Sequence, residues 1–468
     1  MSTAQGRVPL ADVDSAWLRM DEETNLMVVT GVFVYDAPIP FEAIRDLVVS
    51  RLLKIPRFRE RVIDDAVVGT AHWEPDRWFS LDYHLVRASF PADGTEDDLQ
   101  RFVSELMSQP LDPRRPLWQF HFIQSFQGGC ALVTRIHHCI GDGLALIYVM
   151  LSMADQGPGG PAYAQDHDAA EHEELWNTLA HVIGDTFSTV AHVPANVLRE
   201  INQYVNHPER LQEHAAALTS GAGALGKLLL MPADPPTRFK GKLGVVKRVA
   251  WSRPVPVEVL KRVGHVTGST INDVLMACLA GALRRYLLSR DGTVPDDLDI
   301  RGVVPVNLRP LEEAYLLGNR FGLVFLALPL GIEDPLDRVF EVRKRMHAIK
   351  RSPEAYVAFQ LLRVLGLAPR QVFDLAVTLF GKKATAVVTN VVGPRTPITF
   401  AGVPMRQGMF WVPSAAHLGL GVSLLSYSGK VWLGVQADAG LVPDPDALVA
   451  GFAAEIEALR DLERAAHD

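Results

Sequence analysis

The sequence predicts an α/β protein of two halves, each a mixed sheet flanked by helices, around one cleft where the halves meet. Three observations predict it. Short, apolar, β-compatible runs alternate with stretches whose apolar residues recur at helical spacing, over residues 1–160 and again over 241–468. Breaks separate those stretches: Gln156-Gly157-Pro158-Gly159-Gly160-Pro161, and a proline-rich, basic segment at 232–241. With 468 residues, the chain is long enough for two domains with sizeable cores. Ligand sites favour domain interfaces, which places the site between the halves.

Taken in order, the first half runs from a strand at 28–35 into a helix at 41–53. After Trp73 and Trp78 come a helix at 96–107 and strands at 118–125 and 130–136. An apolar helix over 144–153 follows. Leu175, Leu179, Val182, Ile183, Phe187 and Val190 then recur at helical spacing, so 161–240 reads as a helical linker region. The second half opens with a strand at 243–251. Thr270-Ile271-Asn272-Asp273 has the form of a capping box, in which a threonine hydroxyl and a carboxylate three residues on satisfy each other's backbone N–H. Val274, Leu275, Cys278, Leu279, Ala282, Leu283 and Tyr286 continue it as a helix. Strands follow at 302–306, 321–328, 384–391 and 418–426, the last pairing with 431–437 through Tyr427-Ser428-Gly429. Asp444 before Pro445 starts a terminal helix striped by Leu448, Phe452, Ile456 and Leu459.

Composition narrows the function classes. The chain is 48% hydrophobic and 21% charged, ordinary for a globular protein, and its net charge of -8 argues against a nucleic-acid binder, which needs a basic field. Cys130, Cys139 and Cys278 lie in or beside apolar runs without a CxxC pair, which suits a reducing compartment and argues against a disulfide framework or structural zinc. No signal-peptide layout is present at the start, so the expected location is cytoplasmic. The uncharged stretch 407–429 is broken by glycines, serines and Pro413 and reads as strands and turns rather than a membrane span. Residues 361–380 mix leucine, valine and phenylalanine with Arg363, Arg370 and Asp374. They fit a helix pair packed on the protein's own core, and alternatively a segment lying in a lipid interface, peripheral on a membrane or lipid droplet.

The stretch richest in chemistry is Arg135-Ile136-His137-His138-Cys139-Ile140-Gly141-Asp142-Gly143. Successive strand residues point to opposite faces, so one histidine reaches a cleft and the other supports it. Neutral imidazole accepts and returns a proton within a cycle, and a positioned base contributes roughly a hundred- to ten-thousand-fold in rate. Asp142 between two glycines can cap the helix that follows, orient a histidine or pair with a cation. Arg309 is a candidate for that cation, because a buried carboxylate needs a fixed partner and the guanidinium offers two hydrogen bonds.

The composite His-His-x-x-x-Asp-Gly resembles the motif of the chloramphenicol acetyltransferase-like superfamily of CoA-dependent acyltransferases. Pro9-Leu10-Ala11-Asp12-Val13-Asp14 with Trp17-Leu18-Arg19, Leu81-Asp82-Tyr83-His84, Pro116-Leu117-Trp118, Asn272-Asp273, Pro305-Val306-Asn307-Leu308-Arg309, Gly318-Asn319 and Thr389-Asn390-Val391-Val392-Gly393-Pro394 look like successive blocks of one branch, the wax ester synthase/diacylglycerol acyltransferase family. The resemblance spans nearly the whole chain. It implies two chloramphenicol acetyltransferase-like halves with an active-site tunnel at their interface, His138 as general base with His137 beside it, and Asp142 and Gly143 as structural parts of the site. It implies acyl-CoA as a substrate rather than a cofactor, with diacylglycerol or a fatty alcohol as acceptor. Cys139 stands where the family often has alanine, another small residue.

Further candidates surround that centre. A carboxamide in the first turn of a helix is a fixed donor near the positive end of the dipole, so Asn272 is the candidate for holding an oxyanion, and Asp273 its structural neighbour. Pro116, Leu117, Trp118, Asn307, Asn319 and Asn390 are candidate substrate-binding residues, with core packing or turn backbone as their other reading. Neither a G-x-S-x-G elbow nor an activated cysteine is visible, which favours direct transfer. The rivals are a related condensation enzyme using a carrier-protein thioester, a non-catalytic lipid-binding protein, and a metal site, which diverging adjacent histidines disfavour.

Overall fold

The computed structural model describes residues 7–65, 70–156, 231–309, 316–368 and 370–465. Residues 161–230 of the expected linker lie outside the described residues. The first sheet is assembled from β2 (Val28–Tyr35), β5 (Leu85–Arg87), β6 (Trp118–Phe126) and β7 (Gly129–His137). Its order is β13-β14-β2-β7-β6-β5, in which β13 (Thr399–Phe400) and β14 (Val403–Trp411) come from the far end of the chain. β14 lies antiparallel to β2, pairing Phe410 with Gly31 and Met409 with Val32. The two sheets therefore do not divide cleanly along the chain, because one hairpin of the 241–468 stretch completes the sheet of the first half. A small sheet of β1 (Val8–Pro9), β3 (Glu60–Asp65) and β4 (Thr70–Pro75) sits apart from both.

The second sheet has the order β11-β10-β12-β15-β16-β8, with β8 (Lys247–Trp251), β9 (Val255–Pro256), β10 (Asp299–Asn307), β11 (Phe321–Pro329), β12 (Ala386–Val392), β15 (Leu420–Tyr427) and β16 (Lys430–Asp438). β9 pairs with β16 off that path. The mixture is as expected, since β12 runs parallel to β10 and β15 while the other main-path pairs are antiparallel.

Hairpin geometry follows from turn chemistry. Gln127-Gly128, Ala401-Gly402 and Ser428-Gly429 all have positive φ at both positions, the backbone that matches strand twist in a two-residue turn and that glycine adopts without strain. The helices are α1 (Asp12–Arg19), α2 (Phe41–Ser50), α3 (Leu81–His84), α4 (Glu96–Met107), α5 (Gly143–Ser152), α6 (Val257–Thr267), α7 (Ile271–Asp291), α8 (Pro335–Lys350), α9 (Glu354–Leu367), α10 (Arg370–Gly381) and α11 (Pro445–Ala465). The Thr270/Asp273 capping box forms as the sequence predicts, at 3.2 and 2.9 Å. α7 is buried along most of its length between the second sheet and α11, whose Leu448, Phe452, Ile456 and Leu459 are all buried. Among the described residues, no single helix is long and apolar enough to cross a membrane.

The expected strand at 243–251 begins only at Lys247, because Gly244 and the Lys247 side chain turn instead to the buried carboxylate of Asp438. Residues 361–380 do form a helix pair. Their apolar side chains divide, however, with Leu365 and Phe373 buried while Leu367, Val372, Leu375 and Leu379 are exposed. Packing on the protein's own core accounts for only one side of the pair.

Candidate active site

The site is built where β7 ends. His137 N–H donates to the Leu117 carbonyl at 2.9 Å and His138 N–H to the Met27 carbonyl at 2.7 Å, so the backbone stays clamped while the rings part. His137 Nδ1 accepts from Cys139 N–H at 3.1 Å, and its Nε2 lies 3.7 Å from an Asp21 carboxylate oxygen. The His138 ring stacks on Trp17 with centroids 4.4 Å apart, borders Phe321 at 5.7 Å, and lines a cavity that His137 does not reach. Burial pushes the His138 pKa down to about 4, with the Asp142 carboxylate offsetting part of that effect. At neutral pH it is therefore an uncharged imidazole.

Asp142 works as a cap and as an ion-pair partner at once. Its Oδ1 accepts from Ala145 N–H at 2.9 Å at the start of α5. Its Oδ2 accepts from Arg309 Nη2 and from Arg320 N–H, both at 3.0 Å. Arg309 also donates to the Gly318 carbonyl at 2.6 Å and to the Leu316 carbonyl, while Asn307 grips the Arg309 backbone with both ends of its amide at 3.0 Å. Asn319 closes the clamp: its Nδ2 donates to the His138 carbonyl at 2.7 Å and to Asp14 Oδ1 at 2.8 Å, and its N–H donates to the same Asp14 oxygen at 2.9 Å. Burial raises the Asp14 pKa to about 6 against the pull of those Asn319 bonds. The histidine turn from the first half is thus fixed by residues of the second.

The cavity encloses about 270 Å³, and its walls are overwhelmingly aliphatic and aromatic. One side is made by β2, β7 and α5, through residues such as Val29, Ile136 and Met150; another is made by α9, α10 and the second sheet, through Leu361, Val377 and Leu323. His138, Asp142, Asn307 and Thr389 are among the few polar residues on the lining. Gly143 lines it too, and a Cβ there would meet nothing within 4 Å, so this glycine leaves open space over the first turn of α5.

Other residues singled out from the sequence lie off the lining. Asn272 Oδ1 accepts from Asn390 Nδ2 at 2.8 Å, and Asn390 follows cavity-lining Thr389 along β12, so alternation turns it to the other face of the sheet. Asp273 is occupied in its capping box. Leu117 and Trp118 are buried behind β7, where the indole stacks on His84 at 4.5 Å and donates to the Phe58 carbonyl at 2.9 Å. Neither they, Pro116, Asn319 nor Asn390 faces this cavity; packing and hydrogen bonding engage them instead. Sequence reasoning gave no role to Asp14, Trp17 or Phe321. Asp14 and Trp17 are three residues apart, hence on one helix face, and a carboxylate sharing a buried face with an aromatic was the available signal.

The family description "Wax ester synthase/diacylglycerol acyltransferase catalytic domain" matches residues 10–275, more than half the chain. The chain belongs to the wax ester synthase/diacylglycerol acyltransferase family. The corresponding C-terminal domain of that family matches residues 317–460. A relative from Mycobacterium tuberculosis strain H37Rv, named "Probable diacylglycerol O-acyltransferase", is 27% identical over 458 residues, covering 95% of this chain and 94% of its own. Among solved structures, the wax ester synthase/diacylglycerol acyltransferase from Marinobacter aquaeolei VT8 superposes with a TM-score of 0.66 at 20% identity, covering 97% of this chain and 100% of its own. The first condensation domain of the calcium-dependent antibiotic synthetase shares the fold at a TM-score of 0.58 and 16% identity, over 98% and 97% of the two chains. This wax ester synthase/diacylglycerol acyltransferase family member is an acyltransferase.

Proposed function

We propose that the enzyme moves a long-chain fatty acyl group from acyl-CoA to the hydroxyl of diacylglycerol, of a long-chain fatty alcohol, or of both. The observation that carries this reading is a neutral, enclosed imidazole set on the wall of an otherwise apolar cavity. His138 Nδ1 is enclosed by protein, which leaves Nε2 for the substrate. That nitrogen takes the acceptor's proton as the hydroxyl oxygen bonds to the thioester carbonyl carbon. The tetrahedral species then collapses, the C–S bond breaks, and the imidazolium returns the proton to the CoA thiolate, giving ester and free CoA thiol. An imidazole whose pKa is lowered is a weak base but a strong conjugate acid, suited to protonating the leaving sulfur.

Direct transfer is supported by the nearest thiol. Cys139 is wholly buried and burial pushes its pKa well above the usual range, so it supplies no thiolate nucleophile. Asn272, the oxyanion candidate from the sequence, stands off the lining with its Oδ1 held by Asn390 Nδ2 on the far face of β12, so it has no contact with the thioester in this mechanism.

The decisive experiment pairs His138→Ala with an acceptor panel of hexadecanol, diacylglycerol and monoacylglycerol, using one acyl-CoA and one acyl-carrier donor. The expected result is ester with release of CoA thiol, reduced roughly a hundred- to ten-thousand-fold in the variant. Full turnover in His138→Ala, acyl label retained on protein without an acceptor, or product only from the carrier-bound donor would overturn the proposal.

A further inference from the structure

We propose that the outer face of the α9–α10 pair is where this enzyme docks on a lipid surface bearing anionic headgroups, so that acceptor enters the cavity from that surface. The inference rests on the lipid acceptor assigned above. Its starting point is an excess of apolar surface on two short helices. In α10, Phe373, Ala376, Val377 and Phe380 form a stripe facing inward; Phe373 is buried, and Val377 and Phe380 line the cavity. A second stripe, Val372, Leu375 and Leu379, at i, i+3 and i+7, faces outward and is 53%, 61% and 47% exposed. In α9, Leu361, Leu362 and Leu365 line the cavity, while Val364 and Leu367 are 40% and 69% exposed. Fifteen large hydrophobic residues are exposed among those described, and five of them fall within residues 364–379. A cluster of that kind on a monomer marks an interaction surface.

Continuity and charge select the occupant. The same two helices border the apolar cavity on one face and solvent on the other, so a molecule leaving a lipid layer here crosses a single layer of helix to reach the lining. Between residues 363 and 383 the charges outside the core are Arg363, Arg370 and Lys382 against Asp374, a local charge of +2 in a chain of net charge -8, Lys383 being buried. Arg363 and Arg370 are half or more exposed at the ends of the apolar patch, although each has a carboxylate nearby, Asp12 at 3.9 Å and Asp374 at 3.6 Å. An aliphatic stripe rimmed by cations is the pattern of helices that lie in the interfacial plane of anionic lipid. The protruding side chains are all aliphatic, whereas protein interfaces concentrate their energy in aromatic anchors.

The pair is also tied to the catalytic centre. Arg19 Nη1 donates to the carbonyls of Gly366 at 3.2 Å and Ala368 at 2.8 Å, at the bend between the helices, and its guanidinium lies 4.4 Å from the Phe373 ring centroid. A Cβ at Gly366 would stand 1.9 Å from the Asp12 carbonyl, so only glycine lets α9 seat this closely on α1. α1 is the helix whose Trp17 stacks on His138.

The test uses the full chain and vesicles of phosphatidylcholine alone or with phosphatidylglycerol. An environment-sensitive fluorophore is attached to the thiol introduced by Leu375→Cys, the native cysteines being buried. A second protein carries it through Trp78→Cys, at a position 81% exposed elsewhere on the surface. Expected results are co-sedimentation favouring the anionic vesicles and a blue shift at position 375 but not at 78. Leu367→Ser/Leu375→Ser/Leu379→Ser is expected to cut vesicle binding at least about tenfold, in line with the loss of buried apolar area. Arg363→Gln/Arg370→Gln/Lys382→Gln is expected to bring anionic binding down to the level of the neutral vesicles. Absence of co-sedimentation, a label at 375 that does not respond when the protein binds, or a serine variant that binds like the parent would overturn the docking surface. Partition needs no turnover, so these outcomes stand apart from the His138→Ala assay that judges the chemistry.

Discussion

His138 and Asp14 are two ionisable residues held in one hydrogen-bonded unit through Asn319, and burial favours the neutral form of each, so their pKa values move in opposite directions. His138 has a pKa of 6.5 when unfolded and about 4 when folded, so between those values the unfolded chain binds the extra proton and stability rises with pH. Asp14 goes from 3.8 to about 6, so across that window the folded chain binds the extra proton and stability falls as pH rises. Each amounts to about 3 kcal/mol on the usual conversion, and the two slopes nearly cancel where they overlap. Measured as the difference in denaturant midpoint from the parent, in which the contributions of buried His84 and His121 cancel, His138→Ala should therefore lose stability progressively from pH 4 towards 6, and Asp14→Asn gain it over the same range. Parallel slopes in the two variants would show that the residues do not titrate as described. That one of the two histidines would face a cleft was legible because adjacent histidines at a strand end must diverge, and the family resemblance chose His138. The supporting carboxylate was not, because its partner Asn319 lies 305 residues away and no local pattern records that contact.

The clamp joining the β7–α5 turn to the segment after β10 is the element on which the site depends. Arg309→Ala should strand a buried carboxylate at Asp142 and cost about 3–5 kcal/mol, whereas Asp142→Ala in the same chain should recover part of that loss; chemical denaturation of the two single variants and the double variant measures it. Gly143→Leu should behave differently. With open space where its Cβ would stand, the new side chain should project into the cavity, lowering turnover with long-chain substrates while leaving the melting temperature within a few degrees. The helix starts at Thr270 and Pro445 and the Ser428-Gly429 turn were readable because each is a local hydrogen-bonding or backbone requirement. The division of the α9–α10 pair into inner and outer apolar stripes was not, because periodicity reports that a side is apolar and says nothing of what covers it.

Across the whole molecule the halves are coupled at many points, among them the Asp142–Arg309 clamp, the Asn319–Asp14 bonds and β14 lying on β2. Such coupling predicts one cooperative calorimetric transition in spite of two hydrophobic cores; two resolved transitions would mean that the halves unfold independently. The two-sheet architecture was visible from alternation of strand and helix signals and from chain length. The exchange of a hairpin between sheets was not, since pairing partners 370 or more residues apart leave no spacing signal.

That exchanged hairpin also sets a timetable. A ribosome delivers β2 first and β14 only after residue 411 has emerged, so for most of synthesis the first sheet carries an unpaired β2 edge with its backbone N–H and C=O groups open. The nascent chain therefore passes through an extended interval in which that edge must be shielded by a chaperone or lost to aggregation, an interval that outlasts closure of the clamp on the histidine turn, since that clamp is complete once residue 320 has emerged.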